Sequence, residues 1–267
     1  MRGMVFALLL LLISTPVRAD STLTLVTTTS TEHSGLMGVL LPAYREKTGV
    51  TVRAIVASTG KALRIAKAGD ADILIAHDRR AELALVEKGH TSFRRPLMHN
   101  DYVIVGPESD PAKIATSPTV DDALHRIAVT RALFASRGDD SGTHRREVNL
   151  WGMANIKPGA WLLETGSGQG PTLNFAAARG AYALTDRGTW LFFGNKAGLT
   201  LLYEGDEKLR NEYGISMVNP SHHPHVDGHK ARAFIDWLTG SEGQALITRH
   251  RIGGQQAFFA SAPLHKD

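Results

Sequence analysis

Apolar β-branched runs and amphipathic stretches alternate along the first hundred residues. Thr22 to Val26, Val50 to Ala57, Ala71 to Ala76 and Tyr102 to Val105 read as strands; Leu36 to Lys47, Lys61 to Ala68 and Ala81 to Lys88 read as helices. The helix from Leu36 shows the spacing clearly: Leu36, Val39, Leu40, Ala43 and Tyr44 share one side, and Arg45, Glu46 and Lys47 end it before Gly49. Strand and helix in alternation imply a mostly parallel sheet with covering helices.

After Gly106-Pro107 the pattern restarts. A helix around Val120 to Ile127, a strand at Ala132 to Ser136, a helix from Gly142 to about Trp151, a strand near Trp161 to Leu163 and a helix after Pro171 make a second α/β unit. A further strand, Gly214 to Val218, leads through Asn219-Pro220 to helical stretches at Lys230 to Leu238 and Glu242 to His250, where the chain is expected to return to the first unit. Asp101 to Pro107 and Tyr213 to Pro220 would then be crossovers, each ending in a proline-marked turn. The organisation expected is residues 1–19 as a leader, 20–105 plus 217–267 as lobe 1, and 106–216 as lobe 2. Ligands of open α/β sheets sit outside the carboxyl ends of strands, so a cleft between the lobes should be lined by the loops that follow them.

The N-terminus changes the picture of location. Arg2, the apolar run Val5 to Ile13, the breakers Ser14 to Pro16 and the small residues of Val17-Arg18-Ala19 read as a secretory signal peptide cleaved after Ala19. That run is too short for a retained anchor, and no later segment has the length of a transmembrane helix, so no stable membrane insertion is expected. The chain has no cysteine, which excludes disulfides, thiolate metal sites, a cysteine nucleophile and a lipidated cysteine. The formal charge of +4 falls to +2 without Arg2 and Arg18, a weak excess that argues against nucleic acid as a partner.

Candidate chemistry gathers where strands give way to helices. Thr27-Thr28-Thr29-Ser30-Thr31 places five hydroxyls in a row before a helix beginning around Ser34-Gly35. Hydroxyl donors beside the free N–H groups and positive dipole end of a helix outline an anion site. The plainer reading is that threonine suits strands and Ser34 caps a helix. The arrangement recurs at Ala57-Ser58-Thr59-Gly60, and again at Ser136-Arg137-Gly138-Asp139-Asp140-Ser141-Gly142-Thr143-His144, which adds a guanidinium. The planar fork of Arg137 suits an oxyanion, Ser141, Gly142 and Thr143 bring hydroxyls and amides, and Asp139 could hold Arg137 in place. The competing account has Asp139 or Asp140 capping the helix and Arg137 pairing on the surface. A fourth junction, Gly166 to Thr172, has glycines without dinucleotide spacing, a Walker lysine or a ribose-binding acid; Gly168 is read as close backbone approach to a ligand or as lobe packing. At the fifth, Thr185 to Thr189, Asp186 is expected to cap a helix and Arg187 to be a structural cation or a support behind the pocket.

Together T-T-T-S-T-E at 27–32, S-R-G-D-D-S-G-T-H at 136–144 and L-T-D-R-G-T at 184–189 resemble the tungstate-binding proteins of bacterial ABC-type uptake systems. The likeness extends over nearly the whole mature chain, including Tyr102 to Pro107 and Phe234 to Thr239. R-x-x-x-S-G-T, from Arg137 to Thr143, is more distantly similar to the anion loop of periplasmic phosphate-binding proteins. The resemblance implies a two-lobed type II periplasmic binding fold, each lobe a mostly parallel mixed sheet flanked by helices. It also implies no cofactor, a monomer, and delivery of tungstate, molybdate or phosphate to a permease driven by an ATPase. The pocket it implies takes Arg137 with the donors of the first and third junctions, Thr28, Thr29, Ser30, Ser141, Gly142 and Thr143; the residues of the second and fourth junctions add Ser58, Thr59 and Gly168 as candidates, with Asp139, Asp186 and Arg187 behind them. His33, Gln169 and Pro171 depart from the expected pattern.

Two other chemistries have partial signals in the sequence. Asp140, Ser141 and His144 lie close together, but G-x-S-x-G is missed because Asp140 stands at its centre, and triads are normally assembled from distant segments. Ser221-His222-His223-Pro224-His225 with His229 could bind zinc, although Asp227 is the sole carboxylate nearby, and short histidine-rich tracts are often solvated loops.

Overall fold

The computed structural model describes residues 22–261, so the leader and its cleavage site lie outside the described residues. The strands are β1 (Thr22–Thr28), β2 (Thr51–Ala57), β3 (Ile73–Ala76), β4 (Thr91–Pro107), β5 (Phe134–Ser136), β6 (Leu162–Glu164), β7 (Ala183–Asp186), β8 (Leu199–Tyr203), β9 (Arg210–Val218), β10 (Arg251–Ile252), β11 (Gln255–Gln256) and β12 (Phe259–Ala260). The helices are α1 (Thr29–His33), α2 (Met37–Thr48), α3 (Thr59–Ala68), α4 (Arg79–Glu87), α5 (Val120–Thr130), α6 (Gly142–Met153), α7 (Gln169–Arg179), α8 (Arg187–Phe192), α9 (Gly228–Thr239) and α10 (Ser241–Arg249).

The main sheet runs β12-β4-β9-β3-β1-β2. β1 pairs in parallel with β2 and β3, whereas β9 is antiparallel to both β3 and β4. Alternation divides the side chains between two cores. Ile73 and Ile75 of β3 enter one cluster with Leu25, Leu40 and Phe234; Leu74 and Ala76 enter the opposite one with Val26, Leu63 and Val218. Both faces are thus covered, which is why β1 and β3 read as unbroken apolar runs.

β4 joins this half to the other. Its first stretch, through Asp101, pairs with β9; from Tyr102 it pairs with β7 and β8. Pro96, which has no N–H to donate, coincides with a register shift in the ladder to β9. Beyond Asp101, Tyr102 and Ile104 face a third core with Phe134 and Trp151, and Val103 and Val105 face a fourth with Leu173 and Trp190.

Three expectations are corrected. The sheets are mixed, but the strands that carry the chain between lobes return antiparallel, so "mostly parallel" holds only for β1, β2, β3 and the β5-β6 pair. The second crossover precedes β9, since all of β9 pairs within the first sheet. The hydroxyl run does not lead directly into the long helix: Thr29–His33 forms the short α1, a turn at Ser34-Gly35 follows, and α2 starts at Met37. Among the described residues, no helix is long and apolar enough to cross a membrane.

Candidate functional site

Five junctions have one construction. Thr28, Ser58, Ser141, Gly168 and Asp186 are the N-cap residues of α1, α3, α6, α7 and α8, and all have extended backbone. They follow β1, β2, β5, β6 and β7, so the amino ends of these helices lie at the carboxyl ends of the strands, where ligands of α/β sheets sit. The first N–H groups of a helix lack intrahelical acceptors, and its dipole is positive at this end.

At α6 the cap is Ser141, whose Oγ accepts the His144 N–H at 3.2 Å; neither Asp139 nor Asp140 caps the helix. Asp139 instead accepts from Arg137 Nη2 at 2.5 Å and from the Ser141 N–H at 3.2 Å. Burial pushes the Asp139 carboxyl up, but the hydrogen bond from Ser141 and the Arg137 charge outweigh it, and its pKa lies below the usual carboxylate range. Arg137 is therefore no surface cation. It is 6% exposed, donates from Nη1 to Gln169 Oε1 at 3.4 Å, and its buried Nε has no hydrogen-bond partner. The Ser167 N–H donates to the Arg137 carbonyl at 3.2 Å, which sets the loop bearing Gly168 beside it.

The second and third junctions meet across the lobes. A Cβ on Gly142 would lie 2.3 Å from His77 Cε1 and 2.7 Å from Thr59 Oγ1, so only glycine permits this approach. Arg145 of α6 reaches Asp78 in the first lobe at 2.9 Å and Asp140 in its own at 2.8 Å. The first junction connects through side chains: Ser30 hydrogen-bonds Tyr213, and Asn211 Nδ2 lies 3.3 Å from the Tyr213 hydroxyl. Asn211 Oδ1 is 3.1 Å from His77 Nδ1, and His77 Nε2 is 3.3 Å from Thr59 Oγ1. Thr28 is buried and shares a hydroxyl hydrogen bond with Thr31 at 3.0 Å; Thr29 is half-buried. Thr59 and Thr143 are buried at the first turns of α3 and α6.

Asp186 behaves as expected, accepting from the Thr189 N–H at 3.0 Å and its hydroxyl at 2.5 Å, and it also receives Asn100 Nδ2 at 3.4 Å. Arg187 does not join the cluster. Its guanidinium is bidentate to Asp101, both bonds at 2.6 Å, and also reaches Glu204.

His77, Asn211, Tyr102, Tyr213, Asn100 and Gln169 were not foreseen. Only His77 carried a legible signal, since it immediately follows β3 at the carboxyl edge of the sheet. Beside the junctions lies an open cavity of about 420 Å³, lined by His77, Tyr102, Gly142, Arg145, Arg146 and Asn211 among others. Of the candidate set, only Gly142 lines it.

Ser141 and His144 do not form a nucleophile and base. Ser141 Oγ serves as helix cap, while His144 Nδ1 accepts the Asp140 N–H at 3.1 Å. In the histidine tract, His225 Nε2 lies 2.8 Å from the Gly69 carbonyl, and the rings of His90 and His222 are 6.3 Å apart. No group of three or more His, Asp or Glu among the described residues is arranged to hold a metal ion.

The family model of the PBP superfamily domain matches residues 14–242. The tungstate-binding protein TupA of Peptoclostridium acidaminophilum is 38% identical over 233 residues, covering 86% of this chain and 82% of that protein. Among solved structures, the tungstate-binding protein TupA from Desulfovibrio alaskensis superposes with a TM-score of 0.82 at 39% identity, covering 91% of this chain and 100% of the other. The tungstate ABC transporter structure from Geobacter sulfurreducens gives 0.78 at 46% identity, covering 84% and 97%.

Proposed function

Because the chain belongs to the PBP superfamily, we propose that it is an extracytoplasmic binding protein that captures a tetrahedral oxyanion, tungstate first, for an ABC-type uptake system. The carrying observation is a buried Arg137, its Nε unpartnered, held between the third and fourth strand-to-helix junctions, with the second junction meeting the third at Gly142. Tungstate and molybdate are unprotonated dianions near neutral pH and reward a pocket of donors. Monohydrogen phosphate would reward an acceptor as well. About six charge-assisted hydrogen bonds of roughly 1.5–3 kcal/mol give a gross 9–18 kcal/mol before desolvation and lobe closure are subtracted. Nanomolar binding, about 12 kcal/mol, falls within that range.

The pocket in this reading comprises Thr28, Thr29, Ser30, Ser58, Thr59, Arg137, Ser141, Gly142, Thr143 and Gly168. Asp139 fixes Arg137, and Asp186 holds the start of α8. Arg187 is left out, since Asp101 and Glu204 occupy it. We divide the lobes where the strands change partners: the first extends through Asp101 and resumes at Arg210, and the second spans Tyr102 to Leu209, which moves both expected boundaries toward the N-terminus. Export by a leader cleaved after Ala19, action as a monomer, delivery to a permease with its ATPase, and the absence of chemistry on the ligand belong to the same proposal.

The test is a competitive calorimetric titration with tungstate, molybdate, phosphate and sulfate. Tungstate or molybdate is expected to bind tightest, and Arg137→Ala to abolish tight binding while the thermal unfolding transition persists. Wild-type affinity in Arg137→Ala, or preference for phosphate, overturns the assignment.

A further inference from the structure

The hydrogen-bond network behind Thr59 has one position where a proton is missing. Asn211 Nδ2 is directed to Asn100 Oδ1 at 2.7 Å and to the Tyr213 hydroxyl at 3.3 Å, which turns Asn211 Oδ1 toward His77 Nδ1 at 3.1 Å. An amide oxygen only accepts, so the His77–Asn211 bond requires the imidazole hydrogen on Nδ1, and the Tyr102 hydroxyl 3.2 Å away then accepts from the same N–H. Nε2 of the neutral ring is then an acceptor, and the Thr59 hydroxyl at 3.3 Å donates to it. In this state Thr59 directs its proton at the protein and turns lone pairs toward the pocket, the wrong polarity for a dianion.

We infer that His77 takes up one proton when the oxyanion binds, reversing the Thr59–His77 hydrogen bond so that the Thr59 hydroxyl is freed to donate to the ligand. The protonated ring donates from Nδ1 to Asn211 and from Nε2 to Thr59 Oγ1. It also adds a cation next to Gly142, whose Cα approaches the ring more closely than any side chain could. The proton comes from solvent, which reaches His77 through the cavity it lines.

The surroundings of the ring allow both states. Burial holds the imidazole below its usual range, opposed by Asp186, by the hydrogen bond with Asn211 and by Asp78, and reinforced by Arg137. Tyr213 packs on the ring at 4.8 Å and the Tyr102 hydroxyl lies 3.2 Å from Nδ1; burial raises both phenols, so neither ionises to add a negative charge beside the ring. Of the charges around the cavity, Asp78 is paired with Arg145, and Glu212 with Arg79 and Arg210; Arg146 donates to the Lys208 carbonyl, while Arg80 and Glu207 line the outer wall. Without ligand the ring is neutral; an added dianion shifts the balance toward imidazolium.

This inference rests on the oxyanion reading, and one experiment separates the two. Tungstate is titrated calorimetrically at pH 7 in buffers of different ionisation enthalpy, and affinity is followed from pH 6.5 to 8.5. The expected result is net proton uptake on binding, with affinity that rises toward low pH by up to about tenfold per unit, the limit for one linked proton. His77→Gln, which retains an amide donor and acceptor, is expected to bind more weakly with no buffer dependence. Binding without proton uptake, or uptake that persists in His77→Gln, overturns the role of His77 and leaves the oxyanion reading intact. Absence of binding by every oxyanion overturns both.

Discussion

Gly142→Ala isolates lobe closure from folding. The added methyl would lie 2.3 Å from His77 Cε1, 2.7 Å from Thr59 Oγ1 and 2.9 Å from His77 Nε2. Carbon atoms in contact prefer about 3.5–4.0 Å, so the ring must withdraw, or the lobes stop short, by roughly 1 Å. Either movement weakens the Thr59–His77 and His77–Asn211 hydrogen bonds, at 3.3 and 3.1 Å. Two bonds of about 0.5–1.5 kcal/mol each amount to roughly 1–3 kcal/mol, or about 5- to 150-fold in affinity. Within its own lobe the substitution is benign: Gly142 opens α6 without a left-handed φ, and alanine is the better helix former by up to about 1 kcal/mol. Calorimetry of tungstate binding combined with thermal unfolding of the free protein reads both quantities. Weaker binding with an unchanged or higher unfolding temperature is expected. Affinity within twofold of wild type would show that Gly142 and His77 do not meet in the bound form, and a lower unfolding temperature would place the damage in folding.

Two stability predictions concern groups outside the pocket. Gly214→Ala would set a Cβ 2.2 Å from Glu82 Oε2 and 2.5 Å from Arg94 Nε, inside a buried ion pair of 2.7 Å; breaking such a pair costs about 3–5 kcal/mol, read as a lower urea midpoint. Burial pushes the Glu147 carboxyl up to about 7, opposed by hydrogen bonds from Ser136 and Trp151. Because the folded pKa exceeds the unfolded one, the folded state holds the extra proton, and stability falls as pH rises from about 4.5 to 7. At about 1.4 kcal/mol per pH unit across that window the loss is roughly 3 kcal/mol, and Glu147→Gln should flatten the urea midpoint over it. A midpoint that is level across it in the wild type removes Glu147 as the titrating group.

The legibility of the chain followed burial. β1 and β3 are covered on both faces, so their apolar runs announced themselves, as did the hydroxyls after β1 and β2. β7 did not, because Ala183, Leu184 and Thr185 carry little β-branched character, and its strand conformation comes from pairing with β4. The first half of β4 was hidden by Arg94, Arg95 and Pro96, which a strand tolerates when Arg94 is neutralised by Glu82 and the ladder breaks at the proline. His77 and Asn211 stand 134 residues apart in sequence and meet only because β9 inserts beside β3. No local pattern could have joined them.

Fixed charge around the pocket offers a dianion no cationic excess, since two arginines face four aspartates, and this constrains how selectivity can arise. Arg137 is matched by Asp139, Arg145 by Asp78 and Asp140, and the buried Asp186 adds a further acid. On the proposed reading, a dianion entering here is not neutralised by fixed cations; it would meet amide dipoles and hydroxyls at the starts of α3, α6 and α7, with His77 gaining the added charge. Fixed dipoles reward position as well as charge, and their contribution falls when donors are displaced from the oxygen atoms. Sulfate and tungstate carry equal charge, so discrimination between them must come from the spacing of donors on opposite lobes. The approach of Gly142 to His77 and Thr59, which leaves no room for a Cβ, would set that spacing. On the proposed reading, closure would stop where the glycine meets the imidazole, and an anion too small to reach both sets of donors at that limit would forfeit hydrogen bonds that a larger tetrahedron makes in full.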